Sequence, residues 1–268
     1  MKREHRVGVV LSGGGVRGAS HVGLLKALAD RGIEPTAVAG ASSGALVGTM
    51  YAARRSFNQT LDVFRDNDLF SWNYLGLVRK PGLLDTELLL GELDAALDHR
   101  TFDDLTRELH VVAGDLLTGE PYFFKTGPLA RAVLASCAYP GVLTPIEHEG
   151  RLLSDGGIVN NLPVEPLLGR CDLVIGSFVN PVAPMTLEQL QTTFAVSQRA
   201  FQIGTTHALT AKLAKCDFAI APLPLLDIGL FELSRTNEAF EIGLSAANAI
   251  MDDVEARLAE IDAERAHL

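Results

Sequence analysis

Apolar runs rich in β-branched residues alternate along the chain with stretches whose apolar positions recur at helical spacing. VGVVLS (7–12) has the length and continuity of a buried parallel strand. HVGLLKALADRG (21–32) follows as an amphipathic helix stopped at Gly32. AVAG (37–40) predicts a second short strand and ALVGTMYAARR (45–55) a second helix. Further strands are predicted at 109–115, 121–124, 150–157, 172–179 and 216–222, with helices at 61–70, 85–97, 128–137, 187–214 and 236–263. Repeated strand–helix alternation predicts an α/β domain built on a largely parallel sheet.

Two stretches depart from that rhythm. Residues 54–100 have little strand character and contain SWNYLGLVRKPGLL, with the only tryptophan and a Pro-Gly turn. They read either as a helical cap beside a site or as a peripheral insertion. The last predicted helix carries Ile250, Val254, Leu258 and Ile261 at helical spacing, a packing face for the core or for a second subunit.

Composition narrows the picture. With 268 residues, 47% of them hydrophobic, the chain has material for one large core, and 1–268 is read as a single domain. A net charge of -10 argues against nucleic acid as partner and against simple attachment to anionic lipid, although a local basic patch could still act. Cys137, Cys171 and Cys216 lack metal-ligand spacing and cannot all pair, as expected of thiols in a reducing compartment. The apolar run near the N-terminus is too short for a signal sequence, and no window reaches the ~18 apolar residues of a membrane span. A cytoplasmic location is expected.

The chemistry begins at VVLSGGGVRGASHVGLL (9–25). Gly13, Gly15 and Gly18 satisfy the G-x-G-x-x-G of a dinucleotide cradle, but the same glycines could form a nest of N–H groups for a transient anion. A dinucleotide site needs an Asp or Glu at the end of the second strand; the nearest acids, Asp30 and Glu34, precede it. That strand runs instead into GASSG (40–44), a G-x-S-x-G with Ser42 between Gly40 and Gly44, ahead of a helix: the setting of a nucleophile elbow. A serine nucleophile needs a base. None of the seven histidines (His5, His21, His99, His110, His148, His207, His267) occupies an obvious catalytic turn, so no Ser-His-Asp triad is read; helix surface is the default for His21. SDGGIVNNLPVEPL (154–167) offers Asp155 at the end of a strand, followed by Gly156 and Gly157. This is either a plain turn or a carboxylate at the sheet edge that presents Ser42.

GGGVRG, then GASSG, then DGG, in that order, resemble the patatin-like phospholipase family. TRELHVVAGDLLTGEPYFF and ASCAYPGVLTPIEHEGRLLSDGGIVNNLPVEPL extend the resemblance to roughly residues 5–180. Gly114 stands where that family often has threonine. The resemblance implies a three-layer α/β/α fold with a mainly parallel central sheet. It also implies a serine acyl hydrolase acting on lipid carboxylic esters through a Ser42–Asp155 dyad. Gly13, Gly14 and Gly15 would line the oxyanion hole, with Arg17 and Gly18 completing the motif. Arg17 would either contact a substrate anion or brace the loop. No metal and no cofactor are expected. The substrate would be a phospholipid, lysophospholipid or acylglycerol, which leaves room for transient membrane-surface contact and for a homo-oligomer through the C-terminal helix. Leu83, Leu84 and Phe231 are candidate walls of an acyl pocket, although the run around Phe231 (222–231) reads first as core or a dimer surface. The alternative is a protein that keeps the hydrolase fold and acts through a protein partner; a pure binding module, however, needs neither Ser42, Asp155 nor the glycine loop.

Overall fold

The computed structural model describes residues 5–65, 85–206 and 209–266. An eight-stranded sheet runs through it in the order β5-β6-β3-β2-β1-β7-β8, with β4 paired to β3. The strands are β1 (Val7–Leu11), β2 (Ala37–Ala41), β3 (Glu108–Asp115), β4 (Pro121–Phe124), β5 (Ile146–His148), β6 (Arg151–Asp155), β7 (Leu173–Ser177) and β8 (Phe218–Ile220). β1, β2, β3, β7 and β8 are parallel, β4 and β6 run antiparallel to β3, and β5 pairs antiparallel with β6.

Alternation along each strand sorts side chains to two faces. Val7, Val9 and Leu11 of β1, Val38 of β2 and Leu173 and Ile175 of β7 enter the larger core. Val10, Ala37, Ala39 and Val174 face a smaller one, closed by Leu162, Val164 and Leu167. Helices cover the larger face: α1 (Ala19–Asp30), α2 (Ser43–Ala52), α3 (Phe57–Arg65), α4 (Thr86–Ala96), α5 (Leu129–Cys137), α9 (Thr236–Asn248) and α10 (Met251–Ala266). The short α6 (Gly157–Asn160), α7 (Thr193–Thr206) and α8 (Leu209–Leu213) complete the chain. Burial of β1, β2 and β7 on both faces is why their sequences are continuous apolar runs.

Several predicted elements take a different form. The predicted strand at 150–157 is the second arm of a hairpin whose first arm, β5, carries too short a pattern to read. The predicted helix 187–214 is interrupted because Thr192 Oγ1 accepts the Ala195 amide at 3.1 Å and caps a new helix. The predicted helix 236–263 is broken at Ala249 and Ile250, and beyond the break Met251, Val254 and Ile261 are buried in the core. That face packs on this chain's own core, with Ile250 and Leu258 half-buried beside it. Within 54–100 the structure shows α3 and α4. SWNYLGLVRKPGLL with Trp72, the C-terminal part of the predicted helix 61–70, and His207 lie outside the described residues. No described helix is long and apolar enough to cross a membrane.

Candidate active site

The chain leaves β2 and enters α2 through one residue. Ser42 takes φ 51° and ψ -125°, a conformation that a non-glycine residue holds only when its surroundings enforce it. The enforcement comes from contact between the first turn of α2 and the end of β1. A Cβ on Gly44 would collide with the Leu11 carbonyl, and one on Gly40 with the Gly44 backbone. The Ser42 amide donates to Ser136 Oγ at 2.8 Å, and that hydroxyl donates to the Val112 carbonyl at 2.6 Å. The Ser42 amide is thereby tied through α5 to β3. The hydroxyl of Ser42 is left half-exposed at the mouth of a cleft.

Asp155 reaches this serine by an unexpected route. Its strand is antiparallel to β3, entering from beyond the carboxyl edge of the sheet rather than ending at it. Register places Ala41 opposite Val112 and Asp155 opposite Ala113, so the two side chains meet across β3. Ser42 Oγ donates to Asp155 Oδ2 at 2.7 Å, and the Gly157 amide donates to Oδ1 at 2.7 Å. Asp155 is buried, and burial pushes its carboxyl up from 3.8 to about 6 against the opposing pull of those two bonds. No histidine among the described residues lines the cleft. Beside the pair, burial and the Asp155 charge push the Cys137 thiol up, which keeps it protonated.

The glycine loop lies over the same cleft. Gly13 donates its amide to Asn161 Oδ1 at 3.0 Å, so this N–H is already committed; those of Gly14 and Gly15 make no bond to other described residues. Gly15 has φ +59°, and a Cβ there would strike the Leu230 carbonyl, which accepts the Val16 amide at 2.9 Å. Gly15→Ala is therefore expected to cost about 2 kcal/mol or more in stability and to depress turnover with it. Calorimetry and an ester assay check this, and an unchanged melting temperature would contradict it. Gly18 packs against Ser43, and Gly156 against the Val112 carbonyl.

Arg17 braces the loop. Its Nε donates to the Ile228 carbonyl at 2.7 Å and Nη1 to Asn180 Oδ1 at 2.8 Å, tying the loop to the segment that carries Leu230 and Phe231. Burial lowers its guanidinium to about 10, so it remains charged at neutral pH. His21 is fully buried rather than on the helix surface. One ring nitrogen faces the Ser12 carbonyl at 2.8 Å and must carry the proton; the other accepts from Ser177 Oγ at 2.9 Å. Desolvation lowers this imidazole to about 4, and it acts as a neutral strut under the loop. Ser136 and Asn161 lie within the segment that carries the family resemblance, but no role was legible for them, and Asn180 and the buried role of His21 gave no signal in the sequence.

Behind Ser42 the cleft is apolar, with a volume of about 120 Å³. Leu46, Phe64, Leu89, Leu93, Val133 and Leu143 are among its walls, so α3 and α4 both contribute. Phe231 stands at its mouth, 40% exposed, with Tyr139 and Phe201 in a cluster of rings. The other two candidate wall residues, Leu83 and Leu84, lie outside the described residues.

The sequence profile described as Patatin-like phospholipase matches residues 9–168, which spans the glycine loop, Ser42 and Asp155. The chain belongs to the patatin-like phospholipase family. An uncharacterized NTE family protein of Mycobacterium bovis is 38% identical over 182 residues, covering 65% of this chain and 49% of the relative. The human patatin-like phospholipase domain-containing protein 6 is 34% identical over 166 residues, covering 59% of this chain and 12% of that protein. A protein named lysophospholipase NTE1, from Cryptococcus neoformans, is 28% identical over 273 residues, covering 90% of this chain and 17% of its own length. This patatin-like chain thus spans about half the length of the mycobacterial relative and much less of the other two. Among solved structures, VipD from Legionella pneumophila shares the fold, with a TM-score of 0.50 at 16% identity, covering 89% of this chain and 67% of VipD.

Proposed function

We propose that this patatin-like chain is a serine acyl hydrolase that cleaves lipid carboxylic esters through a Ser42–Asp155 dyad. The observation that carries the reading is the 2.7 Å bond from a half-exposed serine hydroxyl to a buried carboxylate at the head of an apolar cleft. Ser42 Oγ attacks the ester carbonyl while Asp155 takes its proton. The oxyanion settles on the amides of Gly14 and Gly15, fixed donors that need no reorganisation. Asp155 then returns the proton to the departing alcohol oxygen. A water next attacks the acyl carbon, again giving its proton to Asp155, which restores it to Ser42 as the fatty acid leaves. The apolar walls suit an aliphatic chain, and α3 and α4, both lining the cleft, act as a cap within a single catalytic unit.

A base at about 6 makes a specific prediction. Activity requires ionised Asp155, so kcat/KM should rise with pH through an acid limb near 6 and level off above it. A limb near 4 would mean that burial does not tune this carboxyl. The reading itself is tested with a fluorophosphonate probe, which should label the wild type and not Ser42→Ala. Equal labelling of both would overturn it.

A further inference from the structure

The catalytic pair and the glycine loop come from distant parts of the chain, and one side chain joins them. Asn161 follows α6, six residues past Asp155, and is buried. Its Oδ1 accepts the Gly13 amide at 3.0 Å across 148 residues of sequence. Because an N–H is the donor, the acceptor must be the oxygen, which fixes the orientation of the side-chain amide. The same oxygen is wedged between two glycines: it stands 2.7 Å from where a Cβ on Gly13 would sit and 3.0 Å from one on Gly157. The Gly157 position is also flanked, at 2.9 Å, by Asp155 Oδ1, the atom that the Gly157 amide holds. A Cβ on Gly13 would lie 2.9 Å from Ser42 Cβ.

We propose that Asn161 is a positioning residue, a clasp that sets the oxyanion-binding loop in register with Ser42 and Asp155. This rests on the hydrolase reading above. It engages the Gly13 amide and leaves those of Gly14 and Gly15, which also line the cleft, unbonded to other described residues, while its own turn is the one that aims the base. Oxyanion stabilisation is sensitive to small displacements of such donors, so losing the clasp should act on turnover rather than on substrate binding. The neutrality of Asn161 also matters. An acid at this position would keep an acceptor for Gly13 but set a second carboxyl beside Asp155, and the two would titrate together with the upper step raised.

The experiment compares wild type, Asn161→Ala and Asn161→Asp on a short-chain nitrophenyl ester across pH, with fluorophosphonate labelling rates measured in parallel. Asn161→Ala should lose about 10²-fold in kcat, with KM nearly unchanged and the acid limb still near 6. Asn161→Asp should move the acid limb above 6. A purely structural residue would instead change KM and kcat together in Asn161→Ala. Wild-type kcat in Asn161→Ala, or an unshifted limb in Asn161→Asp, overturns the clasp. If Asn161→Ala fails to fold, Asn161→Leu, which keeps the bulk but offers no acceptor to Gly13, decides: a loss of kcat with KM nearly unchanged supports the clasp and wild-type kcat overturns it. Failure of the wild type to label at Ser42 overturns the hydrolase reading and the clasp with it, whereas labelling of Asn161→Ala at the wild-type rate overturns the clasp alone.

Discussion

Ser42→Ala is expected to lower turnover of a short-chain nitrophenyl ester by about 10⁴-fold or more, leaving only what the oxyanion donors achieve with water. The fold should survive, because the elbow is held by backbone contacts at Gly40 and Gly44 and by the Ser136 hydroxyl, none of which uses Ser42 Oγ. The lost hydroxyl has a second consequence. Its bond is one of two that favour ionised Asp155, so the carboxyl in this variant should titrate above the wild-type value of about 6. Steady-state kinetics and circular dichroism check the first part. Turnover within tenfold of wild type would remove Ser42 from the mechanism.

Asp155→Asn is expected to be nearly as damaging, at about 10³–10⁴-fold in kcat, because the Gly157 amide claims the carboxamide oxygen and the NH2 left facing Ser42 cannot take its proton. It should also stabilise the protein at alkaline pH. The folded carboxyl titrates near 6 and the unfolded one near 3.8, so folding favours the protonated form. The stability this provides is fully present below the lower value and is lost as pH rises through the upper one. The variant escapes that loss. By pH 8 it should exceed the wild type by at most about 3 kcal/mol, converging on it near pH 4. Denaturant unfolding at the two pH values measures the difference. A variant less stable than wild type at pH 8 would show that Asp155 is not ionised against a burial penalty.

The parts of this molecule that were legible in its sequence are those fixed by local constraint. Gly40 and Gly44 are demanded by the approach of α2 to Leu11, and that demand is written as G-x-S-x-G around Ser42. β1 and β2 read correctly because strands buried on both faces must be apolar throughout. Strand direction leaves no such trace. Alternation looks the same in parallel and antiparallel strands, so Asp155 could be set at the sheet edge but not on a strand running against β3. The glycine loop was legible as Gly13, Gly14 and Gly15 ahead of a helix, whereas the commitment of the Gly13 amide to Asn161 depends on a side chain 148 residues away. Ser136 and His21 escaped for the same reason: their partners, the Ser42 amide and Ser177, are neighbours only after folding. The two helix breaks turned on a single hydroxyl at Thr192 and on the burial of Met251, neither of which alters helical periodicity.

The central claim, hydrolysis of lipid esters by Ser42, is tested most directly by incubating the protein with a mixed lipid extract and quantifying released fatty acids by mass spectrometry. Wild type should release them and Ser42→Ala should not, with the depleted lipids naming the substrate class. Equal release by both proteins, or none by a wild type that labels at Ser42, would contradict the account.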